Sequence, residues 1–532
     1  MQTREQFDRE ALTEDVRELV DEIDRHHVDP FVGYDSRVAF RARAEETVRD
    51  LPESASPEEA FRRIAPLVAG LRDAHSRVHP PEPATETSDE SDGQTADGGE
   101  SEPERFPLSL RVIGEALFVE SVTDERLEPF VGHRLVAVEG VTTATLADRL
   151  RRYYGAENDY GALAGVSWRL RRPAHAARLL ERDEPQTELS ITFETDAGEE
   201  TVTIEARPPG ESVASTTPSV AHPEGSGPRF RLYADGDAAV FVPGRLQAYR
   251  EALEIVLAHG AGEIEQWARH AYKRQVGGEP PDDPEEAIAA LPSMAETIHD
   301  ATAAMQAADT ETLIVDLRDN PGGSSRYATT LAHALFGPEG LGTAVRSVTT
   351  AKRRTDAHRD RFGDDSPLET ELVDEYDLSE YLDLPASADP VEVGLERLRE
   401  SETAAQLLDE GRETIYEPPQ VVVAVSASTM SSAFAGVAGL STLGADVVGV
   451  PSGQAPVSFG EPVERTLSNT GLTVSLSGSL FEWVPDPDGP VLPVDAELTP
   501  ELYERYDRAA DAGLRLAFDH ADVDGAPPEP VE

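Results

Sequence analysis

Two short, strongly apolar runs constrain the fold most: TLIVDL at 312–317 and VVVAVS at 421–426. Each leads into a loop of small residues and then into a helical pattern. Runs of this length, rich in β-branched residues and without polar alternation, read as strands buried on both faces. Strand, loop and helix in succession give parallel strands covered by helices. AAVFVP (238–243) and DVVGV (446–450) read as further strands, SSRYATTLAHALF (324–336) as a helix, and 246–308 as mostly helical. Residues 229–520 are therefore expected to form one α/β domain with a mixed or mainly parallel sheet. An acidic, helical insertion is expected at 353–415.

Upstream the pattern changes. In 4–51, Phe7, Leu12, Val16, Val20 and Ile23 recur at helical spacing, and a second helix is expected from Pro57 to Leu71 with Ser56 as its N-cap. These make a helical N-terminal region, 1–80. Residues 81–105 carry almost no apolar side chains and read as a disordered acidic linker. Order returns at Phe106: PLSLRVIGEALFVESV reads as a hairpin turning at Gly-Glu, and TELSITFETDAGEETVTIEAR as one turning at Ala197-Gly198. WRLRRPAHAARLL between them reads as helical. The unit 106–208 is followed by a linker, 209–228, and the chain closes on a flexible tail, 521–532.

Charge narrows the function. The 532 residues hold 102 Asp+Glu against 47 Lys+Arg, a net charge of −55. Nucleic-acid phosphates and anionic lipid both require a basic face, so neither is an expected partner. No apolar stretch approaches the length of a membrane span, and the charged start MQTREQFDREALTEDVRELV lacks a secretory h-region. A carboxylate surface this dense suits high salt, where the Debye length falls to about 3 Å at 1 M. The expectation is a cytoplasmic protein of an extreme halophile. The chain has no cysteine, which removes disulfides, thiolate nucleophiles and Cys-based metal sites. Its lysines are Lys273 and Lys352.

Three loops can carry chemistry. Asp316-Leu-Arg-Asp-Asn-Pro-Gly-Gly323 turns sharply between a strand and a helix, and its free N–H groups can hold developing negative charge. By itself it is equally an ordinary βα turn. In Ser426-Ala-Ser-Thr-Met-Ser-Ser432, a serine between strand and helix is placed as a nucleophile, although Ser and Thr also cap helices. In Leu71-Arg-Asp-Ala-His75-Ser76, the histidine can act as a general base or sit idle at a helix end.

In this order the three loops resemble serine peptidases of family S41, the C-terminal-processing and tricorn-type peptidases. The segments that carry the resemblance are LRDAHSRV, TLIVDLRDNPGG, VVVAVSASTMSSAFAGVAGLSTLGADVVGVPSG and FGEPVERTLSNTGLTVSLSGSLFEWVPDPDGP. The resemblance implies a crotonase- and ClpP-like catalytic domain, and GHRLVAVEGV makes 106–208 similar to the family's PDZ-like module. It implies Ser431 as nucleophile and an oxyanion hole from the N–H of Ser432 and of Gly322 or Gly323. One branch of the family uses a lysine about 25 residues after the serine. Here PSGQAP (451–456) has none, and both lysines precede Ser431. The other branch uses a histidine in an early Asp-x-His-[Ser/Thr] loop, which His75 matches. A C-terminal acid orients that histidine in tricorn-type members; Glu482 is the choice here, with Asp486 and Asp488 as rivals.

The implied activity is hydrolysis of peptide or unfolded polypeptide, with no metal or organic cofactor. The sequence leaves the oligomeric state open. One departure stands out: Phe434 occupies the position, three after the serine, where the family has glutamate. The alternative is therefore an inactive S41-fold protein that binds a peptide or a hydrophobic ligand, with Phe434 opening an apolar pocket.

Overall fold

The computed structural model describes residues 6–81, 103–220, 222, 223, 225–260, 264–353, 355–357, 361 and 389–523. The linker expected at 81–105, the centre of the 353–415 insertion and the tail after 523 thus fall largely outside the described residues. The remainder is a multidomain α/β chain that separates into two compact units.

The first unit holds the described residues of Met1–Thr217, Ser458–Leu480 and Arg508–Ala510. Its N-terminal part is helical: Arg9–His26, Arg37–Arg49 and Pro57–Ala69. Asp8, Ser36 and Ser56 cap these helices, each accepting from the backbone N–H three residues on. The apolar positions read from the sequence, Leu12, Val16 and Ile23, are fully buried.

A seven-stranded antiparallel sheet follows, built from the two expected hairpins, Leu108–Ile113 with Ala116–Val122 and Glu188–Thr195 with Gly198–Glu205. Arg134–Val138 lies between the hairpins. The stretch 168–180 is not one helix. Asp159–Arg169 ends before Pro173, which opens Pro173–Leu179, because proline fits only the first turn of a helix.

Residues 458–480, expected with the catalytic domain, belong to the first unit instead. The cause is backbone pairing. Arg77–Val78 adds antiparallel to the strand Thr473–Glu482, with Val78 opposite Val474 and Arg77 opposite Ser475. His79 N–H donates to the Thr473 carbonyl at 2.8 Å and extends the ladder.

The second unit holds the described residues of Pro218–Val457, Phe481–Asp507 and Asp511–Glu532. Its sheet has six strands in the order Arg229–Tyr233, Ala238–Val242, Thr312–Asp316, Gln420–Val425, Asp446–Gly449 and Ala496–Glu497. The first pair is antiparallel and the others are parallel. The two runs that led the sequence reading are its adjacent central strands, with Val315 paired to Val423.

The apolar core of this unit gathers Phe241, Leu313, Val315, Val423, Val425, Tyr327 and Phe434 under the helices Arg326–Arg346 and Ser432–Thr442. The helix that begins at Arg326 reaches residue 336, its expected end. Gly337, at φ 67° and ψ −165°, bends it before Pro338, and a second helical segment follows the bend. Of the acidic insertion, two short helices are described, Pro390–Leu398 and Glu402–Asp409, capped by Asp389 and Ser401.

Candidate active site

Two loops leave adjacent central strands of the second unit at their C-terminal ends, 317–325 after Thr312–Asp316 and 426–431 after Gln420–Val425. In parallel α/β sheets this is the edge where ligands bind. The loops are bonded to each other. Thr429 Oγ1 donates to the Leu317 carbonyl at 2.8 Å, Met430 N–H to the Asn320 carbonyl at 3.0 Å, and Asp319 N–H to Ser426 Oγ at 3.0 Å. Asn320 Nδ2 donates to the Gly244 carbonyl at 2.8 Å and ties the 244 turn to the same loop.

Ser431 sits where the second loop becomes the helix Ser432–Thr442. Its backbone is at φ 54° and ψ −126°, a region that costs a non-glycine residue about 1–3 kcal/mol. Its side chain caps no helix N–H, so the ordinary structural use of serine at this position does not apply. Its own N–H donates to Oε1 of Gln454, a fully buried side chain. Gln454 is set in turn by Ser452, whose Oγ accepts from Gln454 N–H at 3.0 Å and donates to the Thr429 carbonyl at 2.5 Å.

The Gly-Gly turn closes against this serine. Gly322 has φ +102°, and a Cβ there would lie 2.6 Å from Ser431 Cβ and 2.8 Å from Ser432 N. Gly323 has φ +144°, and a Cβ there would lie 2.4 Å from the Leu246 carbonyl carbon. Both positions thus need glycine for conformation and for space. Gly322 N–H donates to Asn320 Oδ1 at 3.1 Å. Among the described residues, the N–H groups of Gly323 and Ser432 have no acceptor. Ser432 Oγ donates to the Gly323 carbonyl at 2.6 Å, holding the two segments together. Ser431, Gly322, Gly323 and Ser432, chosen from sequence, are therefore brought together.

His75 belongs to the first unit and follows the helix Pro57–Ala69 in a tight turn. Its N–H donates to Asp73 Oδ1 at 2.8 Å, and its ring Nδ1 is 3.9 Å from the same oxygen. Asp73 is fully buried and its Oδ2 lies 3.2 Å from Nε2 of the buried His27. Asp29 N–H donates to His27 Nδ1 at 3.1 Å, so in the neutral ring the proton is on Nε2 and points at Asp73. Burial pushes the Asp73 carboxyl up. The His27 hydrogen bond and charge, the His75 charge and a Ser76 hydrogen bond outweigh it and hold the group at about 2. Ser76 Oγ accepts from Ser477 N–H at 2.9 Å, and His79 Nε2 is 2.7 Å from Ser475 Oγ. The histidine loop is thus fixed to the strand Thr473–Glu482.

Glu482 ends that strand and lies in the second unit, as do Asp486 and Asp488. Within its own unit His75 lies beside the Asp73 carboxylate, with Glu157 close by. Sequence reasoning passed over Asp73, His27, Asn320 and Gln454. Asp73 and Asn320 had a local signal, since Asp or Asn two residues before a bonded N–H is the pattern of an Asx turn.

Phe434 is fully buried in the apolar core of the second unit, so it fills space at its position and opens no pocket there. Its helix packs closely: a Cβ at Gly436 would lie 1.9 Å from Tyr327 Oη, which donates to the Ala433 carbonyl at 3.2 Å.

A strained serine at a strand-to-helix turn thus faces a glycine turn, with the open N–H groups of Gly323 and Ser432 beside it. Residues 287–457 match the model of peptidase family S41. Mature CPAF complexed with lactacystin aligns with 97% of this chain and 99% of its own at 15% identity, with a TM-score of 0.56. Mature CPAF alone gives the same score and identity over 98% and 99%. The photosystem II D1 C-terminal processing protease aligns over 97% and 99% at 12% identity, with a TM-score of 0.42. The likeness to CPAF at this identity is one of fold. No curated protein matches the sequence.

Proposed function

We propose that the chain is a serine peptidase in which Ser431 attacks the peptide carbonyl and His75 is the general base. The N–H groups of Gly323 and Ser432 stabilise the tetrahedral oxyanion, each contributing about 3–4 kcal/mol to the transition state. Gly322 supplies the close approach, since its N–H already serves Asn320. His75 takes the Ser431 proton and returns it to the leaving amine. Asp73 is the acid beside the imidazole within its own unit, and Glu482 is the acid that the family resemblance assigns.

The observation that carries this reading is Ser431 itself, with a strained backbone, no capping bond and two open N–H groups beside it. The His75 assignment rests on its Asp-x-His-Ser motif and on the carboxylate at 3.9 Å. The alternative of an inactive binding protein required Phe434 to open a pocket. The burial of that ring supports the peptidase.

The region 106–208 takes the role of a PDZ-like module, holding substrate peptide by strand addition. Cytoplasmic location in a salt-accumulating cell belongs to the same reading, on the charge balance. No helix among the described residues is long and apolar enough to cross a membrane.

The test is labelling with a fluorophosphonate in molar KCl, which modifies an activated serine. Labelling is expected on Ser431 and is expected to disappear in Ser431→Ala. A His75→Ala variant that stays folded by circular dichroism is expected to label at least about 100-fold more slowly, the contribution of a general base. Equal labelling of wild type and Ser431→Ala would overturn the assignment.

A further inference from the structure

We propose that Asp73, His75 and Glu157 form a zinc site whose occupation withdraws His75 from proton transfer. This rests on the reading of His75 as the general base. One donor atom from each residue lies within 4.8 Å of the other two. The Asp73 Oδ1 to His75 Nδ1 separation is 3.9 Å. Zinc bound tetrahedrally at about 2.0–2.2 Å places its ligand atoms about 3.3–3.5 Å apart, so side-chain shifts of roughly an ångström complete the site. One imidazole nitrogen with two carboxylates and an open fourth position is a zinc donor set, whereas magnesium and calcium prefer oxygen alone.

The surroundings orient these donors as outer partners do in metal sites. His27 Nε2 holds Asp73 Oδ2, which leaves Oδ1 on the His75 side. Ala74 N–H reaches Glu157 Oε1 at 3.5 Å. The 155–157 segment is pressed onto the histidine turn, since a Cβ at Gly155 would lie 2.0 Å from the Asp73 carbonyl oxygen. All of these residues lie in the first unit. Asp73 and His75 come from one turn, and Glu157 lies 83 residues beyond Ala74. The cluster is therefore a product of the fold and not of local acidity.

The chemistry of inhibition follows from the imidazole. A neutral ring has one lone pair and one N–H. Zinc on Nδ1 takes the lone pair and places the proton on Nε2. That nitrogen then has nothing to accept the serine proton with. Removing zinc restores the base, so the effect is reversible.

The experiment uses the full chain in molar KCl, with excess magnesium to occupy exposed carboxylates. Zinc binding is measured by competition with a chromophoric chelator, and fluorophosphonate labelling is followed in parallel. One tight zinc per chain is expected in the wild type, with affinity falling more than about 10-fold in His75→Ala and in Glu157→Gln. Wild-type labelling is expected to fall at least tenfold with zinc and to recover on adding EDTA. Equal zinc affinity in the wild type and both variants overturns the site. Specific zinc binding that leaves labelling untouched overturns the inhibitory role. Should the zinc-free wild type fail to label at all, the peptidase reading falls, and the chelator competition still decides the site. Glu157→Gln keeps the side chain's volume, so a folded variant is available for that comparison.

Discussion

Asp73 has no solvent access, yet its carboxyl sits below the ordinary carboxylate value of 3.8, at about 2. A folded-state value below the unfolded one stabilises the protein above the unfolded pKa. That contribution is lost as pH falls from about 4 through about 2. A shift of this size is worth about 2 kcal/mol. Urea unfolding of Asp73→Asn should therefore differ most from wild type at pH 5 and above, by about 2 kcal/mol, and the two curves should converge toward pH 2. A gap that stays constant with pH would assign the loss to packing alone. At Gly322 the constraint is conformational and steric together, with φ +102° and Ser431 Cβ 2.6 Å from any added Cβ. Gly322→Ala is expected to cost about 1–3 kcal/mol in urea unfolding through strain. On the proposed mechanism it should also slow Ser431 labelling about 100-fold by displacing the Gly322-Gly323 turn from Ser431. Gly140 is the control. It has φ +75° with nothing within 4 Å of a Cβ, so Gly140→Ala should lose about 1 kcal/mol and keep its labelling.

Elements built from local pattern were legible in the sequence, and elements fixed by distant partners were not. The strands Thr312–Asp316 and Gln420–Val425 could be read because both faces are buried and no polar alternation interrupts them. The Ser56 cap could be read because its acceptor and its donor are three residues apart. The helix that starts at Arg326 could be read to its end at 336, where non-helical Gly337 and then Pro338 interrupt it, while the helical segment that follows to Arg346 was not read. His27 lies 46 residues from Asp73, Gln454 lies 23 residues from Ser431, and nothing in either segment alone announces the other. Phe434 shows the same limit. The sequence shows an aromatic where the family has an acid, and only the packed helix Ser432–Thr442 shows that the ring fills the core against the sheet. Phe434→Ala should cost about 3–5 kcal/mol in urea unfolding, the range for emptying a buried aromatic site. Phe434→Glu buries a carboxylate among apolar side chains and should leave little folded protein at pH 7. A stable, active Phe434→Glu variant would show that the helix can reopen toward the family's arrangement.

At the scale of the whole molecule the charge balance acts on stability and not on the site. An excess of 55 negative charges repels itself across the surface, and that repulsion favours expansion of the chain. Salt removes it, since the screening length drops from about 8 Å at 0.15 M to about 3 Å at 1 M. Attractive pairs are screened as well, so the sign depends on which pairs are buried. Arg318 binds Asp316 through two bonds of 2.8 Å with both side chains nearly buried, and the buried Arg178 bonds the half-buried Glu58 at 2.9–3.1 Å. These pairs keep most of their attraction in salt, while exposed pairs such as Arg134 with Glu194 lose an energy that was below about 1 kcal/mol to begin with. The net effect of salt is therefore expected to be stabilising. The urea midpoint should rise steeply between 0.1 and 1 M KCl, where screening changes most, and rise less from 1 to 3 M. A sucrose series of matched osmolality strengthens burial without screening, and should give the shallow rise alone. Parallel KCl and sucrose curves would assign the effect to excluded cosolute. A midpoint that falls with KCl would mean that attraction outweighs repulsion on this surface, against the charge count.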